Sequence, residues 1–466
     1  MSAAWSTDAS AYDEDGRPVS TGGESHSGQV RMAYRLANSH RDKLLHVHGI
    51  GWHYWDGKRW AEDEAGVANR AVLEVLHDAL IESMNGDKTL RSDVGRCESA
   101  SGINGVLSIA SSLVEFATTI ADLDADPSLL NCANGTLDLR TRKLRRADPN
   151  DRMTRVTRGA YDPEADTTEW ETFLAQVLPD AEERAYLRRV IGQALYGRVT
   201  EHILPILIGT GANGKGTAYG AIINAVGDYG TVVDPSLLMV RQHGGNATTE
   251  LMELLGARIV IGSETEEGRK LDEAVMKRLT GGDTLSARRL YRDPVTWTPS
   301  HTLLYVTNHL PQVRANDPAV WRRVRVVPFD VVVPPEQRDP DLPTRLELHA
   351  DAILSWAIAG YFDYADNGGM REPSSVLRAT DEYKAQSDAV LRFITEGCMV
   401  SPVATATTRQ LYGQWQKWAI NDGADPMSEK AFGAELDRLG YPAHRTKRGM
   451  TRRGIGVYDE AEGEGW

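Results

Sequence analysis

The sequence has few cysteines, no long apolar runs and no surplus of positive charge, and each shortage excludes a class of protein. Cys97, Cys132 and Cys398 are the three cysteines among 466 residues, too far apart in sequence for a disulfide framework or a zinc knuckle to be visible. No apolar run approaches the roughly 20 residues that a membrane span needs. No basic flank followed by an apolar stretch marks a secretory signal, so a cytoplasmic setting is expected. Lys and Arg number 52 against 66 Asp and Glu, a net charge of -14. That balance argues against a protein that coats DNA by bulk positive charge, so any DNA contact must be local. Internal repeats are not apparent.

With 41% apolar and 25% charged residues the chain has an ordinary globular composition. Its length predicts more than one domain, because a single core rarely grows beyond about 250 to 300 residues. Residues 1–28, rich in Ser, Gly, Asp and Glu, are expected to form a disordered tail. A helix-rich domain is predicted over 29–200. It carries an aromatic hairpin at Gly51 to Trp60, helical periodicity through Ala71 to Met84 and from Val106 to Ala121, and a turn-rich strand signal at Asn134 to Leu144. Over 201–340, strand-length apolar runs at Ile203 to Ile208, Arg258 to Ile261, Thr302 to Thr307 and Val324 to Val327 alternate with helical or polar segments. That alternation predicts an α/β sheet covered by helices. A helical extension is expected over 341–400, at Leu342 to Asn367 and Ser374 to Glu396. The block 401–466 pairs helices at Thr407 to Asn421 and Ser428 to Leu439 with strands at Tyr441 to Thr446 and Gly454 to Tyr458, an order that suggests a winged helix.

The run ILPILIGTGANGKGTAYGAII places an apolar strand, a Gly-rich turn and a helix start in the order a phosphate cradle requires. Gly209, Thr210, Gly211, Ala212, Asn213, Gly214, Lys215, Gly216 and Thr217 are the candidate nucleotide contacts. The glycines let the backbone turn several N–H groups toward one anion, and Lys215 adds charge near the outer phosphates. The usual pattern ends Gly-Lys-Ser/Thr, with the hydroxyl on Mg²⁺. Here Gly216 holds that place and Thr217 follows one step later. Three outcomes are open: Thr217 takes over through a shifted helix start, water and acidic residues hold the metal, or hydrolysis is impaired.

Further along, ARIVIGSETEEG delivers Glu264 and Glu266 just beyond an apolar strand, where carboxylates can hold Mg²⁺ and polarise the attacking water; Glu264 is the nearer to the strand. The strand in LLYVTNHLP ends in Thr307-Asn308, and an Asn there can orient water beside the γ-phosphate. DPAVWRRVRVVPFD sets Arg322 and Arg323 at the start of another strand, where one could act on a neighbouring subunit's phosphates. Bland alternatives stand beside each: a solvated acidic loop, a structural Thr-Asn turn, a surface ion pair.

These elements, with LTGGDTLSARRLYRD between the acidic strand and Asn308, resemble the superfamily 3 helicases. The resemblance is to the phage and plasmid primase-helicase family that also includes poxvirus nucleoside triphosphatases, and HYWDGKRW and NCANGTLDLRTRKL resemble its preceding helical domain. It covers about residues 50 to 400 and implies a multidomain α/β protein with an AAA+-like P-loop ATPase core. It further implies a homo-hexameric ring in a bacterial host cell, hydrolysing ATP with Mg²⁺ between subunits and pulling single-stranded DNA through its centre. Lys215 would bind phosphate, Glu264 and Glu266 would serve Mg²⁺ and water, Asn308 would sense the γ-phosphate, and Arg322 or Arg323 would act in trans. A pore hairpin would bring Lys277, Arg288, Arg289, Tyr291 and Arg292 near DNA; as an alternative, Arg288 and Arg289 pair with acids such as Asp283.

Larger family members carry an upstream primase domain, whereas about 50 residues precede the aromatic hairpin here, so priming is not expected and a separate primase or other replication protein is a possible partner. In the C-terminal block, His444, Arg445, Lys447, Arg448, Arg452 and Arg453 would bind duplex phosphates if they form a wing. The leading expectation is an ATP-driven helicase working on single-stranded and forked DNA in replication of a phage, prophage or other mobile element. An ATP-switched origin-binding or loading protein with weak hydrolysis is the alternative, and a small-molecule kinase a third.

Overall fold

The computed structural model describes residues 25–240, 248–263, 268–289, 293–313, 317–422, 424, 426–446 and 449–458. Most of the expected disordered tail lies outside them. Helix α1 (Gly28–His40) buries Met32, Ala33, Leu36, Ala37 and His40 along one stripe. Strands β1 (Leu44–Val47), β2 (Gly51–Trp55) and β3 (Trp60–Glu62) form an antiparallel meander in which Trp55 faces Trp60, as the aromatic hairpin requires. Asp63 starts α2 (Val67–Ser83) by accepting from the backbone N–H groups of Val67 and Ala68 at 2.7 and 2.8 Å. Asp87 and Ser99 cap α3 (Lys88–Cys97) and α4 (Ala100–Ala110). The four helices share one core with Leu44 and Phe116. The helix expected at Val106 to Ala121 stops at Ala110, because buried Phe116 carries the chain into β4 (Ala117–Thr118), parallel to β1.

A second meander, β5 (Leu129–Cys132), β6 (Gly135–Asp138) and β7 (Lys143–Arg145), precedes α5 (Thr168–Val177) and α6 (Ala181–Ala194). The central part follows as β8 (Leu204–Ile208), α7 (Lys215–Val226), β9 (Gly230–Val233), α8 (Thr248–Met252), β10 (Ile259–Ser263), α9 (Glu273–Leu279), β11 (Leu285–Ala287), β12 (Val295–Trp297), β13 (Thr302–Thr307), α10 (Pro318–Trp321) and β14 (Val324–Pro328). Five strands make one parallel sheet in the order β14-β8-β13-β10-β9, while β11 and β12 form a separate antiparallel hairpin. All six residues of β13 are buried, as expected of a strand covered on both faces.

The helices expected at Leu342 to Asn367 and Ser374 to Glu396 are each interrupted. His349 separates α11 (Leu342–Leu348) from α12 (Ala350–Asn367), and Asp388 separates α13 (Ser374–Ser387) from α14 (Ala389–Gly397), which its carboxylate caps through Leu391 N–H. Helices α6 and α12 touch backbone to backbone: a Cβ on Gly192 would lie 2.1 Å from the Tyr361 nitrogen. Apolar packing therefore runs across residue 200, with Trp170, Leu187 and Ile191 in one core with Ile222, Val327 and Trp356.

The last part is β15 (Cys398–Thr407), α15 (Thr408–Asp422), α16 (Glu429–Arg438), β16 (Ala443–Thr446) and β17 (Gly449–Val457), with strand order β15-β17-β16. It has its own core of Phe393, Leu411, Trp415, Phe432, Leu436 and Ile455. The whole is a multidomain α/β molecule, and no helix among the described residues is long and apolar enough to cross a membrane.

Candidate functional site

Strand β8 ends at Ile208, and the chain turns through 209–214 before α7 begins at Lys215. Gly214 is the N-cap at φ 76°, and a Cβ there would come within 2.6 Å of Val177 on α5, so angle and packing both call for glycine. A helix start turns backbone N–H groups and the positive end of a dipole toward an anion. Thr210, Ala212 and Gly216 are exposed along this turn. Lys215 is buried, and its ammonium donates to Gly209 O at 2.7 Å, Asn213 Oδ1 at 3.0 Å and Asn308 Oδ1 at 3.2 Å.

Asn308 reaches the loop because β13 lies directly beside β8, with Thr307 opposite Ile208. Thr307 stays buried and closes the turn with its hydroxyl, donating to His309 O at 2.8 Å and accepting from His309 N–H at 3.1 Å. On the other side of β8, the segment after β14 is fastened to the loop by Phe329 N–H to Ile208 O at 2.7 Å and Val333 N–H to Ala212 O at 2.9 Å. The candidate lysine thus sits where the ends of three neighbouring strands meet.

The fit to Mg²⁺ is poorer. Helix α7 starts at Lys215 without a shift, so Thr217 is turned about 100° from position 216 around the helix and does not inherit its direction. Gly216 has no oxygen, although the space a Cβ would enter there is open to 4 Å. The loop therefore lacks the usual hydroxyl ligand. Strand β10 ends at Ser263, one residue before Glu264; Glu264 and Glu266 lie outside the described residues.

The two arginines part company. Arg323 is buried, donates to Ala319 O at 2.8 Å and leaves its Nε without a partner among the described residues. Burial, reinforced by neighbouring Arg322, lowers its basicity. Arg322 is exposed at the end of α10. It stands at the start of β14, whose five residues span about 17 Å before the loop end of the sheet is reached.

The basic candidates between β10 and β13 also separate. Lys277 is on α9, not on the hairpin, and is paired with Asp317. Arg288 and Arg289 follow β11 and are exposed, whereas Tyr291 and Arg292 lie outside the described residues. The partner of Arg289 is Glu62 on β3, through both carboxylate oxygens, and not Asp283. Burial works to raise the Glu62 carboxyl, but the guanidinium outweighs it and holds the group below its usual range. A cleft of about 850 Å³ lined by Tyr54, Trp60, Arg155, Arg289 and Trp297 lies between the first meander and the hairpin, and the ion pair bridges the two beside it.

In the C-terminal part His444, Arg445 and Arg453 are exposed, and Lys447 and Arg448 lie outside the described residues. Arg452 departs from the expected role. It is 2% exposed and donates to Asp437, Tyr441 O, Thr408 Oγ1 and Gly433 O, which makes it a brace inside the domain. Partners that left no signal in the sequence include the Phe329 carbonyl that engages Asn213, the Asp317 carboxylate that engages Lys277 and the Glu62 carboxylate that engages Arg289.

Fold and site together define a multidomain α/β protein with a candidate anion cradle at the C-terminal edge of a parallel sheet. Residues 33–179 match the D5 N terminal like family, and residues 207–323 match a family of unknown function, DUF5906. L207/L206 of Acanthamoeba polyphaga mimivirus, which bears a provisional helicase name, is 28% identical over 62% of this chain and 32% of its own length. Frog virus 3 protein 022R, likewise provisionally named a helicase, is 26% identical over 53% of this chain and 27% of its own. C962R of African swine fever virus (strain Badajoz 1971 Vero-adapted), provisionally named a primase, is 24% identical over 68% of this chain and 36% of its own. This chain thus spans about a third of the length of such relatives. The A-form apo structure of the NrS-1 C-terminal region aligns with 65% of this chain and 78% of that one, at 13% identity and a TM-score of 0.38. The likeness of this chain is thus to a D5-type N-terminal region followed by a family of unknown function, and to parts of viral proteins provisionally named helicases and primases.

Proposed function

We propose that the protein is an ATP-dependent DNA helicase or translocase of the ring-forming superfamily 3 type, acting in replication of a phage, prophage or other mobile element. The observation that carries this is the convergence on Lys215: a buried ammonium at the start of a helix, met by Asn308 from the adjacent strand. In this reading the loop's backbone N–H groups and Lys215 bind the nucleotide phosphates, and Asn308 senses the outermost one. Phosphoryl transfer needs positioning and charge stabilisation more than covalent chemistry, and these residues supply both. Glu264 and Glu266 are assigned to the attacking water and the metal.

Arg322 acts on a neighbour's nucleotide. Its exposure and its place at the far end of β14 from its own loop support a role between subunits, and the burial of Arg323 supports a role inside one. A homo-hexamer is the assembly that this arrangement serves. Single-stranded DNA would follow the hairpin of β11 and β12, and duplex phosphates at a fork would meet the exposed Arg445 and Arg453, with β16 and β17 as the wing of a winged helix.

The absent hydroxyl at Gly216 favours a second reading, an origin-binding or loading protein that uses ATP as an assembly switch and hydrolyses it weakly. Strand displacement on a forked substrate separates the two. The motor reading expects ATP-dependent unwinding and DNA-stimulated turnover, both abolished in Lys215→Ala; DNA binding with turnover no higher than in that control would establish the switch instead.

A further inference from the structure

Asn213 makes two bonds that membership of a phosphate-binding turn does not require. Its Nδ2 donates to Phe329 O at 3.1 Å, and its Oδ1 accepts from the Lys215 ammonium at 3.0 Å. The orientation of the amide follows from its partners: a carbonyl can only accept and an ammonium can only donate. One side chain therefore joins Lys215 to the backbone just beyond β14.

Asn213 is 3% exposed and Lys215 5%, so water is poorly placed to replace either bond. Gly209 makes the room: a Cβ there would stand 2.0 Å from Asn213 Nδ2 and 2.4 Å from Phe329 O. Three features of the loop, the glycine, the asparagine and the lysine, are thus fitted to one another.

We infer that Asn213 is the positioning residue of Lys215, holding its ammonium in place for the outer phosphates of a nucleoside triphosphate while other acceptors are exchanged. This rests on the nucleotide reading of the loop. An ammonium has three protons to donate, and Gly209 O, Asn213 Oδ1 and Asn308 Oδ1 all accept from it. An arriving phosphate oxygen must displace at least one acceptor. Asn308 stands just beyond another strand and makes the longest of these contacts, and Gly209 O lies at the opening of the turn, six residues before Lys215. Asn213 is two residues from Lys215 and fastened from behind by Phe329 O, so it is the acceptor that stays.

The test compares affinities for fluorescent ATP and ADP analogues in the full chain, in Lys215→Ala, Asn213→Ala and Asn213→Asp, and in the Lys215→Ala/Asn213→Ala double variant, with thermal unfolding as the check on folding. Loss of a hydrogen bond to a charged group predicts a drop of about tenfold in triphosphate affinity for Asn213→Ala. ADP affinity should fall less, so the ratio between the two nucleotides collapses toward that of Lys215→Ala. Adding Asn213→Ala to Lys215→Ala should leave the ratio unchanged, because both act through one ammonium. Asn213→Asp keeps the size and the lysine contact but loses the donor to Phe329 O and adds charge, and should also lose triphosphate preference.

A folded Asn213→Ala with the wild-type ratio would overturn the inference. So would an equal loss of both nucleotides that adds fully to Lys215→Ala, the mark of a purely structural role. Should Asn213→Ala not fold, an Asn213→Asp protein with the wild-type ratio would overturn it. Absence of any Lys215-dependent nucleotide binding in the wild type would remove the nucleotide reading and the inference together, whereas the other outcomes leave that reading intact.

Discussion

Adjacent residues of the same type can have opposite fates, and the two arginine pairs of this protein show it. Arg322 is exposed and Arg323 is buried beneath it; Arg453 is exposed and Arg452 is buried. If Arg322 acts in trans, Arg322→Ala should lower ATP turnover of the assembled protein about a thousandfold, the low end of the effect of arginine fingers. Nucleotide affinity and thermal stability should change little. Arg323→Ala should destabilise the chain by about 1 to 3 kcal/mol through lost packing and hydrogen bonding. Equilibrium denaturation and turnover, measured on both variants, check the assignment; turnover unchanged in Arg322→Ala removes it from the site. Gly216 supports a prediction of the opposite sign. Because the space around its Cβ position is open, Gly216→Thr should be tolerated and should place a hydroxyl where P-loops usually bind metal. Nucleotide affinity measured with Mg²⁺ and with chelator should differ about tenfold more in the variant than in the wild type, which has no such ligand. Equal metal dependence in both would show that the metal is anchored elsewhere.

At the scale of elements, what could be read from the sequence was set by how far each signal reaches along the chain. Strands β8, β10, β13 and β14 were legible because a strand buried on both faces is a continuous apolar run. Strand β9, four residues at the sheet edge with only Val233 buried, left no such run. Helices at 342–367 and 374–396 were legible as helix but not as pairs, since His349 and Asp388 interrupt the backbone without breaking the apolar pattern. The loop was legible because its glycines, lysine and flanking elements are contiguous. The partner of Arg289 was not, because Glu62 is 227 residues away and on another element. That pair fastens the hairpin of β11 and β12 to the first meander and carries its own pH dependence. Glu62 is held below its ordinary value of 4.5, so the contribution of the pair is fully present above that pH and is lost as pH falls through the lowered value. Hydrogen exchange of Leu285–Trp297, corrected for intrinsic rates, should therefore be steady from pH 7 to 5 and rise below pH 4.5. Glu62→Gln should show the raised exchange throughout, and a variant identical to wild type at pH 7 would mean that the hairpin is held by packing alone.

The hairpin of β16 and β17, proposed as a wing, is governed by strand alternation. Arg452 points into the domain, so Arg453 points out, and Arg445 is exposed on the paired strand. Helix α16 exposes Glu429 and Asp437, and its Arg438 is paired with Asp388 and Glu435. With Asp437 held by Arg452 and Arg438 paired, Lys430 is the one basic side chain that α16 has left for a phosphate, so duplex contact should come from the hairpin. Removing Arg445 and Arg453 together should make the slope of log affinity against log salt shallower by about 2, one unit for each phosphate contact. Lys430→Ala on α16 should leave the slope unchanged, and the reverse pattern would move the contact to the helix.

Across the whole molecule, an acidic chain of net charge -14 must confine any affinity for nucleic acid to a few places, and the packing shows which part is separable. The cores that contain the parallel sheet also take in Val47 and Ile50 from the first meander and Trp170 and Leu187 from the helices before it. The N-terminal and central parts are therefore joined by shared apolar packing. The C-terminal part differs: its core draws on residues from Ala389 to Val457, and α14 begins at Ala389 under the Asp388 cap. A chain ending at Ser387 should accordingly keep its fold and its Lys215-dependent nucleotide binding, because no core residue of the sheet is removed. It should lose the salt-sensitive affinity for duplex assigned to the hairpin of β16 and β17 while retaining ATP turnover stimulated by single strands. Thermal unfolding and nucleotide titration of the shortened chain, beside duplex and single-strand binding over a salt series, distinguish the alternatives. If the shortened chain lost single-strand stimulation as well, the C-terminal part would be an integral element of the motor, and duplex contact would have to be sought on the hairpin that Glu62 holds.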